Sequence, residues 1–137
     1  LDALVQDATD FAGPWPTISV WQGDSDTTVA SSNAASIVAQ WQQIHKVADK
    51  PTRVETVDGF PRKVWCDADG RVVIEEFIIT SMGHGTPISA DGVEGLGEEG
   101  KYMLEVGISS TRHIADFWGL TQGGGAATDT PEVDDAA

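Results

Sequence analysis

Proton transfer at neutral pH calls for a side chain that ionises there, and the sequence has three histidines to weigh. His84 follows the β-rich run Arg71 to Thr80 and is flanked by Gly83 and Gly85, a flexible backbone that lets a ring project into a cleft. His45 and His113 fall inside helical patterns, His45 beside an apolar stripe and His113 next to Arg112, and read as structural. A general base also needs a carboxylate to fix its tautomer, and in open α/β sheets such groups gather just past the carboxyl ends of strands. Asp24 and Asp26, which follow Trp21, both meet that condition. Either could accept the Nδ1 proton of His84, leave Nε2 as the base and stabilise the imidazolium that forms. The competing reading is an aspartate that forms a turn or caps a helix.

Other candidates are weaker. Asp67-Ala68-Asp69-Gly70 starts like a calcium loop, but Arg71 stands at the next ligand position and Ile78 where a closing glutamate belongs, so a hairpin turn is the reading. Asp26 with His84 as a metal site lacks a third ligand, and no metal or other cofactor is expected. Cys66, the single cysteine, excludes an internal disulfide and reads as a buried structural thiol in a strand. Of the five tryptophans, Trp41 and Trp118 lie on apolar helix faces and read as core. Trp21, just before the acidic loop, is the one assigned to substrate contact.

Several elements must position these groups. Leu1, Leu4 and Val5 have helical spacing up to Gly13-Pro14, as though the chain enters from a preceding segment. Thr17 to Trp21 reads as a strand with Ile18 and Val20 on one face. Ser31, Ser32 and Asn33 are N-cap candidates for a helix whose stripe is Ala34, Ile37, Trp41, Ile44 and Ala48. Arg53 to Val57, Lys63 to Cys66 and Arg71 to Thr80 read as strands separated by turns at Asp58-Gly59 and Asp67 to Gly70. A Gly-rich acidic loop follows from Ala90 to about Lys101, then a helix from Ser110 to Leu120 with Ile114, Phe117 and Trp118 on one side. The order predicts an α/β fold: parallel strands with helical crossovers plus a β-hairpin insertion, over residues 1–120. Residues 121–137 have almost nothing to bury and read as a disordered acidic tail. Taken alone, such a unit leaves a strand edge and an apolar face for another segment or chain to cover.

The balance of 22 Asp and Glu against 8 Lys and Arg gives a formal charge of -14, which repels nucleic acid and anionic lipid surfaces. No apolar run approaches the length of a membrane span. Neither partner is expected.

Gly13-Pro14-Trp15-Pro16, Val20-Trp21-Gln22-Gly23-Asp24-Ser25-Asp26-Thr27-Thr28-Val29, Gln40-Trp41 and Met82-Gly83-His84-Gly85-Thr86-Pro87 occur in sensible order and spacing. Gly107-Ile108-Ser109-Ser110-Thr111-Arg112 and Phe117-Trp118-Gly119-Leu120 follow them. Together, over about Phe11 to Leu120, these stretches resemble the C-terminal half of the polyhydroxybutyrate depolymerase and feruloyl esterase-like family of α/β-hydrolases. The resemblance implies that Asp26, in the G-x-x-D-x-x-V pattern of Gly23, Asp26 and Val29, is a triad aspartate and His84 the triad histidine. Asp24 becomes a loop residue. The family's chain order places the serine before the aspartate in a G-x-S-x-G elbow, yet no such string occurs in these residues. The elbow and its oxyanion-hole donors are therefore expected on an N-terminal half outside this chain. Gln22 stands where relatives usually have histidine, and Glu94 to Lys101 lacks the cysteines relatives often carry.

The function implied is that of the C-terminal segment of a serine carboxylic ester hydrolase, inert by itself. Its substrate would be a polyester or a plant-polysaccharide ester, and secretion is the expected localisation. The rival reading is a non-catalytic interaction module that uses its exposed sheet edge.

Overall fold

The computed structural model describes residues 2–121, so the expected tail lies outside the described residues apart from Thr121. A short helix α1, Asp2–Asp7, precedes strand β1, Ile18–Gly23. Helix α2, Ser32–His45, leads to three strands: β2, Arg53–Val57; β3, Phe60–Cys66; and β4, Val72–Ile79. Two short strands, β5 at Thr86–Ile88 and β6 at Met103–Glu105, precede helix α3, Ser110–Phe117.

The four long strands form one mixed sheet in the order β1-β4-β3-β2. β1 and β4 run parallel, with Gly23 opposite Ile79. β3 runs antiparallel to both β4 and β2. Helices packed with a mixed sheet that contains a parallel pair are compatible with an α/β fold. β2 and β3 join through Asp58 and Gly59, both at positive φ (50° and 86°), the left-handed conformations that match a two-residue turn to strand twist.

One sheet face is covered by α2, where Val20, Trp65, Val73 and Ile74 pack with Ala34 and Val38. The helix is rotated from the stripe expected of its sequence: Ala34, Val38, Gln42 and Ile44 are buried, while Ile37 is exposed. The reason is that Gln42 earns its buried place by donating to the Asp49 carbonyl at 3.1 Å, a bond no apolar pattern reveals. Lys46 then ends the helix in the left-handed region, its N–H returning to Gln42 and Gln43.

The other face carries Phe77, Ile79, Met82 and Ile108, with Trp21, Val57, Phe60, Leu104 and Val106 against them. A polar chain crosses it. Ser19 Oγ donates to Glu75 Oε1 at 2.7 Å, and Arg62 Nε donates to Glu75 Oε2 at 2.7 Å while its Nη1 pairs with Glu55. Glu75 is only 2% exposed, and this pairing lets a carboxylate sit there. The two acids also hold the Arg62 guanidinium above its ordinary pKa, against the opposing effect of burial.

Two expected core residues are not core. Trp118 follows the end of α3 and is 52% exposed, because the helix stops one residue earlier than the apolar pattern and turns its cap outward. Cys66 is half-buried rather than buried, at the end of β3 where the register with β4 shifts. The parallel pair β5-β6 is absent from the sequence reading, since three-residue strands carry no periodicity to read.

The Arg62 chain yields a stability prediction. Arg62→Met should cost about 3–5 kcal/mol by leaving Glu75 charged and unpaired, while Arg62→Met with Glu75→Leu should recover most of that loss. Urea unfolding of the three proteins decides it. Equal losses for the single and double variants would show that Arg62 does not compensate Glu75.

Candidate functional site

The parallel register of β1 and β4 delivers two loops to the same end of the sheet. Asp24 N–H donates to the Ile79 carbonyl and Ser25 N–H to the Met82 carbonyl, at 3.2 and 3.1 Å, so the loops stay laced together beyond the strands. Gly23 permits this approach. A Cβ at Gly23 would lie 2.2 Å from the Met82 carbonyl oxygen, well inside contact distance.

The lacing brings Asp26 and His84 together, with Nδ1 of His84 3.0 Å from Oδ2 of Asp26. The other carboxylate oxygen, Oδ1, accepts from the N–H groups of Thr28 and Val29 at 2.9 and 2.8 Å. These donors stabilise the anion: the Val29 N–H above all, with the His84 side chain and the Thr28 N–H, holds the Asp26 carboxyl below its ordinary value of 3.8 despite the opposing effect of burial. An ionised carboxylate only accepts, so Nδ1 is the nitrogen of His84 that donates, and in the neutral form of the ring the lone pair lies at Nε2. The side chains are 7% exposed for Asp26 and 41% for His84, which leaves the acid sheltered and the ring open to a reactant. An imidazole so placed can take a proton at Nε2 and return it.

Asp24 does different work. Its Oδ1 accepts from Ser81 N–H at 2.6 Å, which braces the turn at positive φ (61°) that starts the histidine loop. Gln22 is a residue the sequence reading set aside. Its buried Nε2 donates to both the Gly23 and Val29 carbonyls at 3.1 Å, and so closes the base of the loop that carries Asp26. A glutamine at a strand end gives no sign of this before the loop's path is known.

Trp21 lies on the α3 side of the sheet. Its ring stacks on Phe77 at 4.0 Å and its indole N–H donates to Ser19 Oγ at 2.9 Å, tying it to the Glu75 chain. It is not brought into the Asp26–His84 pair. The remaining histidines have structural partners: His45 Nε2 meets the Pro16 carbonyl at 2.8 Å, and His113 Nε2 meets Asp58 Oδ2 at 3.0 Å, fastening the β2-β3 turn to α3. Asp67 Oδ1 is engaged by the N–H groups of Asp69 and Arg71 at 3.0 and 2.9 Å, a turn that leaves this oxygen to the backbone. Among the described residues no group of three or more His, Cys, Asp or Glu side chains is placed to hold a metal ion.

Two known proteins with esterase or depolymerase names are similar to this chain. The chain is 41% identical over 111 residues to a poly(3-hydroxyalkanoate) depolymerase C of Paucimonas lemoignei, a match that covers 80% of this chain and 27% of the relative. It is 32% identical over 84 residues to an acetylxylan esterase of Coprinopsis cinerea, covering 61% of this chain and 22% of that protein. The chain thus spans about a quarter of the length of either relative. No protein-family model matches it.

The lowered pKa of Asp26 has a consequence for stability. A carboxyl whose folded pKa is depressed contributes stability above its unfolded pKa and loses it as pH falls through the folded value. Urea midpoints should therefore fall more steeply below about pH 4 for the wild-type protein than for Asp26→Asn, whose amide cannot titrate. Parallel midpoint curves for the two proteins would show that the Thr28 and Val29 bonds do not favour the anion.

Proposed function

The chain belongs to the polyhydroxyalkanoate depolymerase and esterase-like family, and from that premise we propose that it supplies the acid and the base of a serine ester hydrolase. The nucleophile, on this reading, comes from a preceding segment of the same fold. The observation that carries the proposal is the Asp26–His84 pair at the ends of adjacent parallel strands, with Nε2 of His84 left open.

The chemistry follows from that geometry. A serine hydroxyl within reach of Nε2 attacks the ester carbonyl; the O–C bond forms as the proton passes to His84. Asp26 stabilises the resulting imidazolium. When the tetrahedral intermediate collapses, Nε2 returns the proton to the departing alcohol and an acyl-enzyme remains. A water molecule, deprotonated by the same nitrogen, releases the carboxylic acid and restores the serine. The donors for the developing oxyanion belong with the serine elbow and its neighbouring loop, outside these residues.

Two further facts support a missing segment. No G-x-S-x-G string occurs in the 137 residues. Among the described residues β1 has a hydrogen-bonded neighbour on one side only, and Ile18–Gly23 contains no lysine or proline such as exposed edge strands use to repel another strand. A strand of the preceding segment would cover that edge. The proposed substrate is an ester of a hydroxyalkanoate polymer or of an acylated plant polysaccharide, and the proposed setting is extracellular.

The test uses the longer polypeptide that carries both this chain and a G-x-S-x-G elbow. Assayed on hydroxyalkanoate oligomers, acetylated xylan and feruloyl esters, it should turn over at least one, and Asp26→Asn should lower kcat by about 10⁴-fold through loss of the correct tautomer. His84→Ala should be at least as damaging, and the 137-residue chain alone should be inert. Turnover indifferent to His84 would overturn the reading and favour a non-catalytic interaction module.

A further inference from the structure

His84 sits between two glycines, so its own backbone does little to fix the ring, and Asp26 restrains it from one side only. A second restraint comes from Tyr102. The two rings meet in a T-shaped contact, with centroids 5.6 Å apart and planes at 71°, a favourable aromatic geometry. Lys101 reaches over the Tyr102 ring, its Nζ 5.2 Å from the centroid, and steadies it in turn.

The backbone around Tyr102 is built for this contact at a cost. Tyr102 has φ 65°, a left-handed conformation that bulky residues rarely adopt. The strain is held by the β5-β6 pairing, in which Thr86 N–H donates to the Tyr102 carbonyl at 2.8 Å. Gly85 makes room for the crossing, since a Cβ there would lie 3.0 Å from the Tyr102 carbonyl oxygen and 2.9 Å from Leu104 Cγ. Thus the residue after His84 is chosen for close approach to the residue that carries the aromatic ring. A glycine would fit position 102 without strain, yet an aromatic residue occupies it, 53% exposed and with its ring against the histidine.

We propose that Tyr102 is a positioning residue for His84, holding the imidazole in the plane that keeps Nδ1 on Asp26 and Nε2 toward the reacting ester. The inference rests on the esterase reading for its functional meaning, but its physical content is the orientation of one ring. The hydroxyl is not required, because the contact is between ring surfaces.

Tyr102→Gly is the informative variant, since it relieves the backbone while removing the ring and so preserves the fold. In the longer polypeptide it should lower kcat about tenfold or more with KM little changed, and Tyr102→Phe should restore kcat. Proton NMR of the same proteins should show a low-field Nδ1–H resonance of His84 in wild type and Tyr102→Phe that broadens away in Tyr102→Gly. Wild-type kcat and an unchanged resonance in Tyr102→Gly would overturn the proposal. A resonance that depends on Tyr102 in a protein without His84-dependent ester turnover would uphold the positioning role and sink the esterase reading instead.

Discussion

The close approach of two loops at one end of the sheet is the constraint on which the rest of the site depends. β1 and β4 are parallel neighbours in register, so the chain leaves both in the same direction. The loops then touch through backbone: Ser25 bonds to Met82 and Asp24 to Ile79, and Gly23 leaves no room for a side chain between them, while the Asp24 carboxylate adds a bond to the Ser81 N–H. Backbone contacts of this kind fix separation more tightly than side chains can, because they carry no rotamer freedom. The 3.0 Å distance between Asp26 and His84 is inherited from that lacing.

Each partner is then oriented by its own surroundings. Asp26 is held on Oδ1 by the Thr28 and Val29 amides, and the Val29 carbonyl is held by Gln22, so the acid loop is a closed ring of bonds anchored on a buried side chain. The ordering matters electrostatically as well as sterically. Two amides that favour the carboxylate keep Asp26 an acceptor, and an acceptor at Oδ2 dictates which nitrogen of His84 carries the proton. Beneath the site the sheet is stiffened by the Ser19-Glu75-Arg62 chain and the Trp21-Phe77 stack, which fasten β1, β4 and β3 side chain to side chain.

Much of this was legible in the sequence, and the reasons differ from element to element. The strand from Arg53 to Val57 and the turn at Asp58-Gly59 were readable because β-rich residues and a left-handed turn pair are local signals. His84 stood out for the same kind of reason, a ring between glycines at the end of an apolar strand. The choice between Asp24 and Asp26 was not local; it depends on how far the two loops overlap, and only the resemblance to a family pointed to Asp26. Gln42, Trp118 and Tyr102 were out of reach for another reason. The burial of Gln42 depends on the Asp49 carbonyl, the exposure of Trp118 on where α3 ends, and the placement of Tyr102 on a three-residue strand pair. None of these leaves a periodic trace. Trp21 was singled out by its position just before the acid loop, and strand alternation places its ring on Phe77.

On the proposed reading, the division of the active site between this chain and a preceding segment has a physical logic. Asp26 is oriented by Thr28, Val29 and Gln22, and His84 by Asp26 and Tyr102, all of them within these residues. No group from another segment is needed to set the tautomer or the ring plane. What another segment must add is a hydroxyl at Nε2 and donors for an oxyanion, and both act on the open side of the imidazole. The expensive part of the arrangement, a histidine fixed between flexible glycines with its proton on the correct nitrogen, is thus preorganised before the nucleophile arrives. Covering the β1 edge with a further parallel strand would then place the next loop beside Asp26 and His84 at the same end of the sheet, where a nucleophile has only to meet a base already in position.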